Sequence, residues 1–304
     1  MQNFKEEYLS RVNLVMDYIE NNLQKDLTIE ELSDIACFSR YHFSRIFKSI
    51  TGEGIYQYIK RIRLQRAIHL IRVNKNKSIT DIAMDVGFNL SSNFSYAFKK
   101  YYGLSPSQIR NSTNSKVNSI ILKVKTAHQT YNEINGSYPS KNILEGIDYM
   151  TVEIKEIKDL HVAYVRSIGD YNNAHIGWDK LSKWAQANNI IKEDSLFFGI
   201  SYDDPEVTPI ENLRYDSCIT VDKDVKGSMD VGINDVPGGK FGVLRFFDVP
   251  ANLFKAYKYM FGEWLPSSGY EADDRYCLEF CISSPHDDEQ GRMKVDLYIP
   301  IRPL

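Results

Sequence analysis

Apolar residues recur at helical spacing through the N-terminal third of the chain and at alternating spacing through its C-terminal half. From residue 8 to 23, Leu9, Val12, Val15, Met16 and Ile19 share one helical face. The stretch LTIEELSDIACFSRYHFSRIFKSITG, Leu27 to Gly52, then reads as a helix, a turn and a second helix. Thr28 with Glu31 three residues on predicts a capped start. Ile29, Leu32, Ile35 and Ala36 predict the buried face of that helix. Ser39 is the expected cap of the next, whose buried stripe is Phe43, Ile46, Phe47 and Ile50. The pattern returns in SITDIAMDVGFNLSSNFSYAFKKYYG, Ser78 to Gly103. Here Ile79, Ile82, Ala83 and Val86 supply the first helix, Gly87 the turn, and Phe94, Ala97, Phe98 and Tyr101 the second stripe. Tyr56 to Val73, between the copies, lacks Gly and Pro and predicts one helix spanning ~27 Å at ~1.5 Å per residue. Duplex major-groove entries repeat every ~34 Å.

Residues 113–144 are polar text with Asn135-Gly136 and Pro139, and read as a linker in which Ile120 to Val124 could form a short strand. Beyond it lies a second internal repeat with an offset of 80: Trp184 matches Trp264, Pro205 matches Pro285, and Asp216 matches Asp296. Each copy predicts strand, strand, helix, strand, strand, near 151–158, 161–168, 173–188, 195–202 and 215–222, and again near 229–236, 240–247, 251–265, 275–283 and 293–301. The expected fold class is multidomain: an all-α double helix-turn-helix DNA-binding domain over 1–112, the linker, and an α+β domain over 145–304. The α+β part is expected as two pseudo-twofold-related modules with a ligand groove between their sheets.

Charge divides the chain at the same place. Residues 1–112 carry 16 Lys and Arg against 11 Asp and Glu, while 113–304 carry 21 against 29, for a net −3 overall. A basic part joined to an acidic part predicts that only the first meets a polyphosphate. No apolar run approaches the ~18 residues of a membrane span, and MQNFKEEYLSRV is no signal peptide, so a cytoplasmic protein without membrane attachment is expected. Cys37, Cys218, Cys277 and Cys281 have neither disulfide nor zinc spacing, and no metal or cofactor is expected. The six His are scattered, and neither G-x-S-x-G nor H-E-x-x-H occurs.

Opposite the first stripe lie Arg40, Tyr41, Ser44, Arg45 and Lys48; opposite the second lie Ser91, Ser92, Ser95, Tyr96 and Lys99. Arginine suits guanine edges and the others phosphates or thymine methyl groups. A solvated charged face is the plainer reading of one such helix, and the duplication argues against it. In RYCLEFCIS, Leu278, Phe280 and Ile282 alternate with Cys277, Glu279 and Cys281. The first set is expected against helices and Glu279 toward the groove, opposite Gly199 of the other module. A partly buried carboxylate calls for a cationic or donor partner, and Tyr164, Tyr171, Trp184 and Trp264 are the rings expected around it. The alternative leaves Glu279 in solvent and both Trp in helix cores.

SRYHFSRIFKSITG with GFNLSSNFSYAFKKYYGLSPSQIR resembles the DNA-binding domain of the AraC/XylS family over about residues 8–111. The resemblance implies base-facing residues at Arg40, Tyr41, Ser44, Arg45, Ser91, Ser92, Ser95 and Tyr96; Tyr96 stands where many members have Arg. HVAYVRSIGDY, FFGISYDDPEVTPIENLRYDSCITV, WLPSSGYE and YCLEFCISSP resemble the GyrI-like effector-binding domain over roughly 150–304, and imply a pocket glutamate at Glu279. The resulting expectation is an activator, not an enzyme, that binds double-stranded promoter DNA and an amphipathic or cationic small molecule, with RNA polymerase as a further candidate partner. The alternatives are a GyrI-like small-molecule hydrolase fused to a DNA-binding domain, and a DNA-binding protein with a vestigial pocket.

Overall fold

The computed structural model describes residues 4–113, 115–121, 151–205 and 208–304. These fall into two compact units. One holds 7–37 and 47–121; the other holds 4–6, 38–46 and the residues from 151 onward. Most of the expected linker lies outside the described residues. Residues 115–121 are helical (α8), so Ile120 and Ile121 belong to a helix where a strand was expected, and the rest of that expected strand is outside the description.

The N-terminal elements are α1 (Phe4–Asn21), α2 (Ile29–Ile35), α3 (Phe43–Thr51), α4 (Ile55–Val73), α5 (Ile79–Asp85), α6 (Ser91–Tyr102) and α7 (Pro106–Arg110). α1 buries Val12, Val15 and Ile19 as expected, with Leu9 and Met16 half-buried and Tyr8 added to the stripe. The Thr28 hydroxyl accepts from the Glu31 N–H at 3.2 Å, and Ser78 does the same for Asp81 at 3.0 Å. Ser39 is not a cap. α3 begins at Phe43, and the buried Ser39 hydroxyl has no partner among the described residues. α6 stops at Gly103, whose φ of +76° is reached at no steric cost only by glycine.

α4 is the spine of the second copy. Its Leu64, Ala67, Ile68 and Ile71 pack with Ile82, Ala83 and Val86 of the α5 segment and with Phe94, Ala97, Phe98 and Tyr102 of α6. Tyr102 rather than Tyr101 closes the stripe. Two arginines of α4 hold structure together. Arg63 donates to the Leu23 carbonyl at 3.0 Å and to the Lys25 carbonyl at 2.7 Å, and Arg61 pairs with the nearly buried Glu53.

The other unit is built on β1 (Glu153–Ile157), β2 (Leu160–Ile168), β3 (Phe197–Ser201), β4 (Arg214–Thr220), β5 (Gly232–Val236), β6 (Gly239–Asp248), β7 (Tyr270–Ala272), β8 (Cys277–Ser283) and β9 (Met293–Pro303). All pairings are antiparallel, in the order β1-β6-β9-β8-β3-β4-β2-β5, with β7 on β9. The expectation of two sheets flanking a groove is corrected: one continuous sheet runs through both copies. The first strand of each copy is exchanged, β1 joining β6 and β5 joining β2. The two connections meet, and Gly238 N–H donates to the Asp159 carboxylate at 2.8 Å.

α9 (Ala174–Ala187) lies on β2 and β4, and α10 (Leu253–Tyr259) on β6. α10 continues through a π-helical turn, Met260–Trp264, into α11 (Leu265–Ser268). The face away from these helices carries Val162, Phe198, Ile200, Phe241, Leu278 and Phe280. Each such buried side chain contributes about 1.5–3 kcal/mol. The alternation in RYCLEFCIS is therefore real but its faces are reversed. Leu278 and Phe280 pack strand to strand, Ile282 is exposed, and Glu279 faces the helices.

Candidate functional site

The two central strands, β3 and β8, put Gly199 directly opposite Glu279. Tyr215 of β4 pairs with Ser201, two residues along β3 from Gly199. From that diagonal position its ring leans over Gly199, where a Cβ would sit 1.9 Å from the phenol oxygen. The Tyr215 hydroxyl lies 3.3 Å from Glu279 Oε2, and the Tyr257 hydroxyl of α10 donates to Oε1 at 2.6 Å. Glu279 is 8% exposed. Burial raises its pKa, opposed by the Tyr257 bond, the Arg45 charge and the Tyr215 bond. Burial and then the neighbouring carboxylate hold both phenols well above the ordinary tyrosine range, so they remain donors.

Tyr171 joins this group, its ring centre 5.9 Å from that of Tyr215 and its hydroxyl donating to the Asp203 carbonyl at 2.9 Å. Trp178 of α9 lies close enough to Tyr215 to influence its phenol. The other expected rings lie elsewhere. Tyr164 packs on the opposite face of the sheet, with Arg166 5.3 Å from its centre. Trp184 belongs to the core between α9 and the sheet. Trp264 covers Gly242 of β6, two strands from Glu279. Tyr215, Tyr257 and Trp178 escaped the sequence reading. The alternation of RYDSCIT puts Tyr215 and Ser217 on one face, but only the strand register reveals that this face is Glu279's.

The segment 38–46 belongs to the same compact unit. Arg40 is exposed and donates to the Tyr41 hydroxyl at 2.6 Å; the Tyr41 ring meets Tyr276 edge-on at 4.8 Å. Ser44 and Arg45, expected on an open face, are not open. Ser44 is 5% exposed. The Arg45 guanidinium lies 4.5 Å from the centre of the Tyr257 ring, 3.9 Å from the Cys277 sulfur and 3.5 Å from the Asp203 carbonyl oxygen. His42 stacks on Phe261 at 5.2 Å, with Nε2 3.0 Å from the Arg275 carbonyl oxygen. The cause lies within this unit: Arg45 meets residues 203, 257, 261 and 277, and His42 and Tyr41 before it meet 275 and 276. Lys48 is half-buried in the last turn of α3.

The second helix-turn-helix has the more open face. Ser92 and Lys99 are exposed, Tyr96 is 71% exposed, and Ser91 and Ser95 are half-buried. Among the described residues no cluster of three His, Cys, Asp or Glu could hold a metal ion. No helix among them is long and apolar enough to cross a membrane.

Residues 150–302 match the family of GyrI-like small molecule binding domains, and residues 32–112 match a helix-turn-helix domain. The chain is 38% identical over 107 residues to the probable transcriptional regulator LumQ of Photobacterium leiognathi, covering 34% of this chain and 43% of the relative. It is 29% identical over 118 residues to the HTH-type transcriptional activator AarP of Providencia stuartii, covering 39% of this chain and 87% of that one. It is 26% identical over 156 residues to a DNA gyrase inhibitor of Erwinia billingiae, covering 50% of this chain and 97% of the relative. The chain thus spans less than half the length of LumQ. With a buried glutamate at the centre of the matched sheet and a duplicated helix-turn-helix before it, the chain belongs to the GyrI-like small-molecule-binding family and carries a helix-turn-helix domain.

Proposed function

We propose that this chain is a ligand-responsive transcription activator. Its two helix-turn-helix copies read successive major-groove segments of promoter DNA, and a small amphipathic or cationic molecule binds at Glu279. The observation that carries the reading is the carboxylate itself: 8% exposed, held by two phenols, and flanked by Tyr171 and Trp178. Two neutral donors and the Arg45 charge leave the Glu279 pKa raised by burial, and a flat cation in direct contact adds both charge and ring contact. The strand order reads the same from either end under the offset near 80, which supports two modules related by a pseudo-twofold axis. The sign of regulation rests on the relative named as an activator, and RNA polymerase is the partner that sign implies.

The test is thermal unfolding of the full chain with benzamidine, a planar arylamidinium, against neutral benzamide. Only the cation should raise the midpoint, and Glu279→Gln should remove the effect; equal shifts by both compounds would overturn the cationic reading. A second reading is hydrolysis of small electrophiles, favoured by the 2.6 Å Tyr257–Glu279 bond, which pairs a proton donor with a carboxylate of raised pKa. Turnover of an activated ester, lost in Glu279→Gln, would support it.

A further inference from the structure

The face of the Tyr257 ring is already occupied. Its hydroxyl edge serves Glu279, while the Arg45 guanidinium lies over the ring 4.5 Å from its centre and 5.8 Å from that of Phe261. Cys277, whose sulfur is 3.9 Å from Arg45 Nη1, precedes Glu279 by two residues on β8 and points to the same side of the sheet. The guanidinium and the carboxylate therefore lie at successive same-side positions of β8. The guanidinium is a flat cation against the aromatic wall of the site in which a flat cation is expected.

Arg45 is also weakly satisfied where it lies. A guanidinium offers five N–H donors. Among the described residues its hydrogen bonds are those to the Cys277 sulfur at 3.9 Å and the Asp203 carbonyl at 3.5 Å, both long, and no carboxylate lies within ion-pair distance. By contrast, Arg214 and Arg166 each hold a carboxylate with bonds of 2.7–2.9 Å. A half-buried cation with so few acceptors is held by ring faces and by the more distant Asp204 charge, and a competing cation that reaches Glu279 directly gains more from the same wall.

We propose that Arg45 is a tethered occupant of the Glu279 site, so that a small cation binding there and the release of Arg45 from Tyr257 are one event. The inference rests on the ligand site proposed above and adds its regulation. A guanidinium laid on Tyr257 cannot also hydrogen-bond a base edge, so one side chain is shared between two tasks. A ligand that takes its seat makes the arginine available to DNA, and the coupling is reciprocal because both sites draw on the same group.

The test measures benzamidine binding by calorimetry to the full chain, to Arg45→Met, which keeps the side-chain volume without the charge, and to Glu279→Gln. Arg45→Met should bind at least about tenfold more tightly than the natural chain, and Glu279→Gln should lose binding. Affinity in Arg45→Met within about twofold of the natural chain, with Glu279→Gln still inactive, would overturn the tethered occupant and leave the ligand site standing. Absence of binding to both the natural chain and Arg45→Met would overturn the site and the inference together. The natural chain also supplies a readout that needs no variant. The Arg45 side-chain N–H resonance should shift on titration with benzamidine, and a resonance unmoved at saturation would refute displacement.

Discussion

Gly199 and Glu279 are register partners across the middle of the sheet, and the absent side chain of one lets a phenol reach the carboxylate of the other. The added Cβ of Gly199→Ala would meet the Tyr215 oxygen at 1.9 Å and its ring carbon at 2.4 Å, so the ring must swing off the strand. Overpacking of this kind costs about 1–3 kcal/mol. We expect Gly199→Ala to lower stability by that amount and to break the Tyr215–Glu279 contact. Urea unfolding measures the first and the Glu279 carboxyl titration the second; an unchanged titration would mean that Tyr215 reaches the carboxylate another way.

The two phenols should not be equivalent. Tyr257 lies 2.6 Å from the carboxylate and Tyr215 3.3 Å, and each bond favours the ionised form. Removing either should raise the Glu279 pKa further, and Tyr257→Phe should raise it more than Tyr215→Phe. Carbon-13 NMR of the glutamate carboxyl in the three proteins gives the order directly, and a larger effect of Tyr215→Phe would refute it.

The elements of both repeats were legible because each rests on local periodicity. Thr28 and Ser78 cap helices as their spacing indicates, and the strands near 161–168, 240–247 and 293–301 follow from alternation. What periodicity cannot carry is pairing. Exchange of β1 and β5 between copies depends on contacts nearly 80 residues apart in sequence, such as Gly238 with Asp159. The side of the sheet on which Glu279 emerges depends on which face the helices choose, and alternation is silent on that choice. Ser39 failed as a cap for a local reason: the chain turns through residues 40–42 before α3 begins, and the His42 and Phe43 N–H groups donate to the Ser39 carbonyl while its hydroxyl takes no bond among the described residues.

Charge misleads in the same way. Arg63 belongs to the basic part of the chain that was expected to meet a polyphosphate, yet it bonds two carbonyls, and Gly87 at φ +84° is the residue whose missing Cβ leaves room for its guanidinium. Arg63→Met should cost about 1.5–3 kcal/mol, the range for hydrogen bonds from a charged group. It should leave the salt dependence of DNA binding unchanged. A slope reduced by about one would make Arg63 a phosphate contact instead.

Lys99 is the contrasting case, exposed in the last turn of α6 beside Tyr96. Under the proposed function, Lys99→Ala should reduce the slope of log affinity against log salt by about one and weaken all sequences alike. Tyr96→Ala should leave stability within about 0.5 kcal/mol, as its ring is 71% exposed, while altering preference among operator sequences. Binding isotherms at several salt concentrations separate the two roles, and parallel behaviour of both variants would argue against a reading role for Tyr96.

His42 ties stability to pH. Burial, then the nearby Arg45 charge, lowers its pKa from 6.5 to about 3, so the folded protein holds the ring neutral. The unfolded chain binds the proton more readily between these values. The stabilisation is therefore complete above pH 6.5 and is lost as the pH falls toward 3, by at most about 1.4 kcal/mol per pH unit. Glu279 carries the opposite sign, since a raised carboxyl pKa favours the folded state in acid and the unfolded state as the pH rises. His42→Gln retains a donor for the Arg275 carbonyl, which His42 Nε2 meets at 3.0 Å, and removes the titration. Unfolding free energy from guanidinium titrations between pH 6.5 and pH 4 should fall more steeply in the natural chain than in His42→Gln. Equal slopes would mean that the imidazole is protonated in the folded protein.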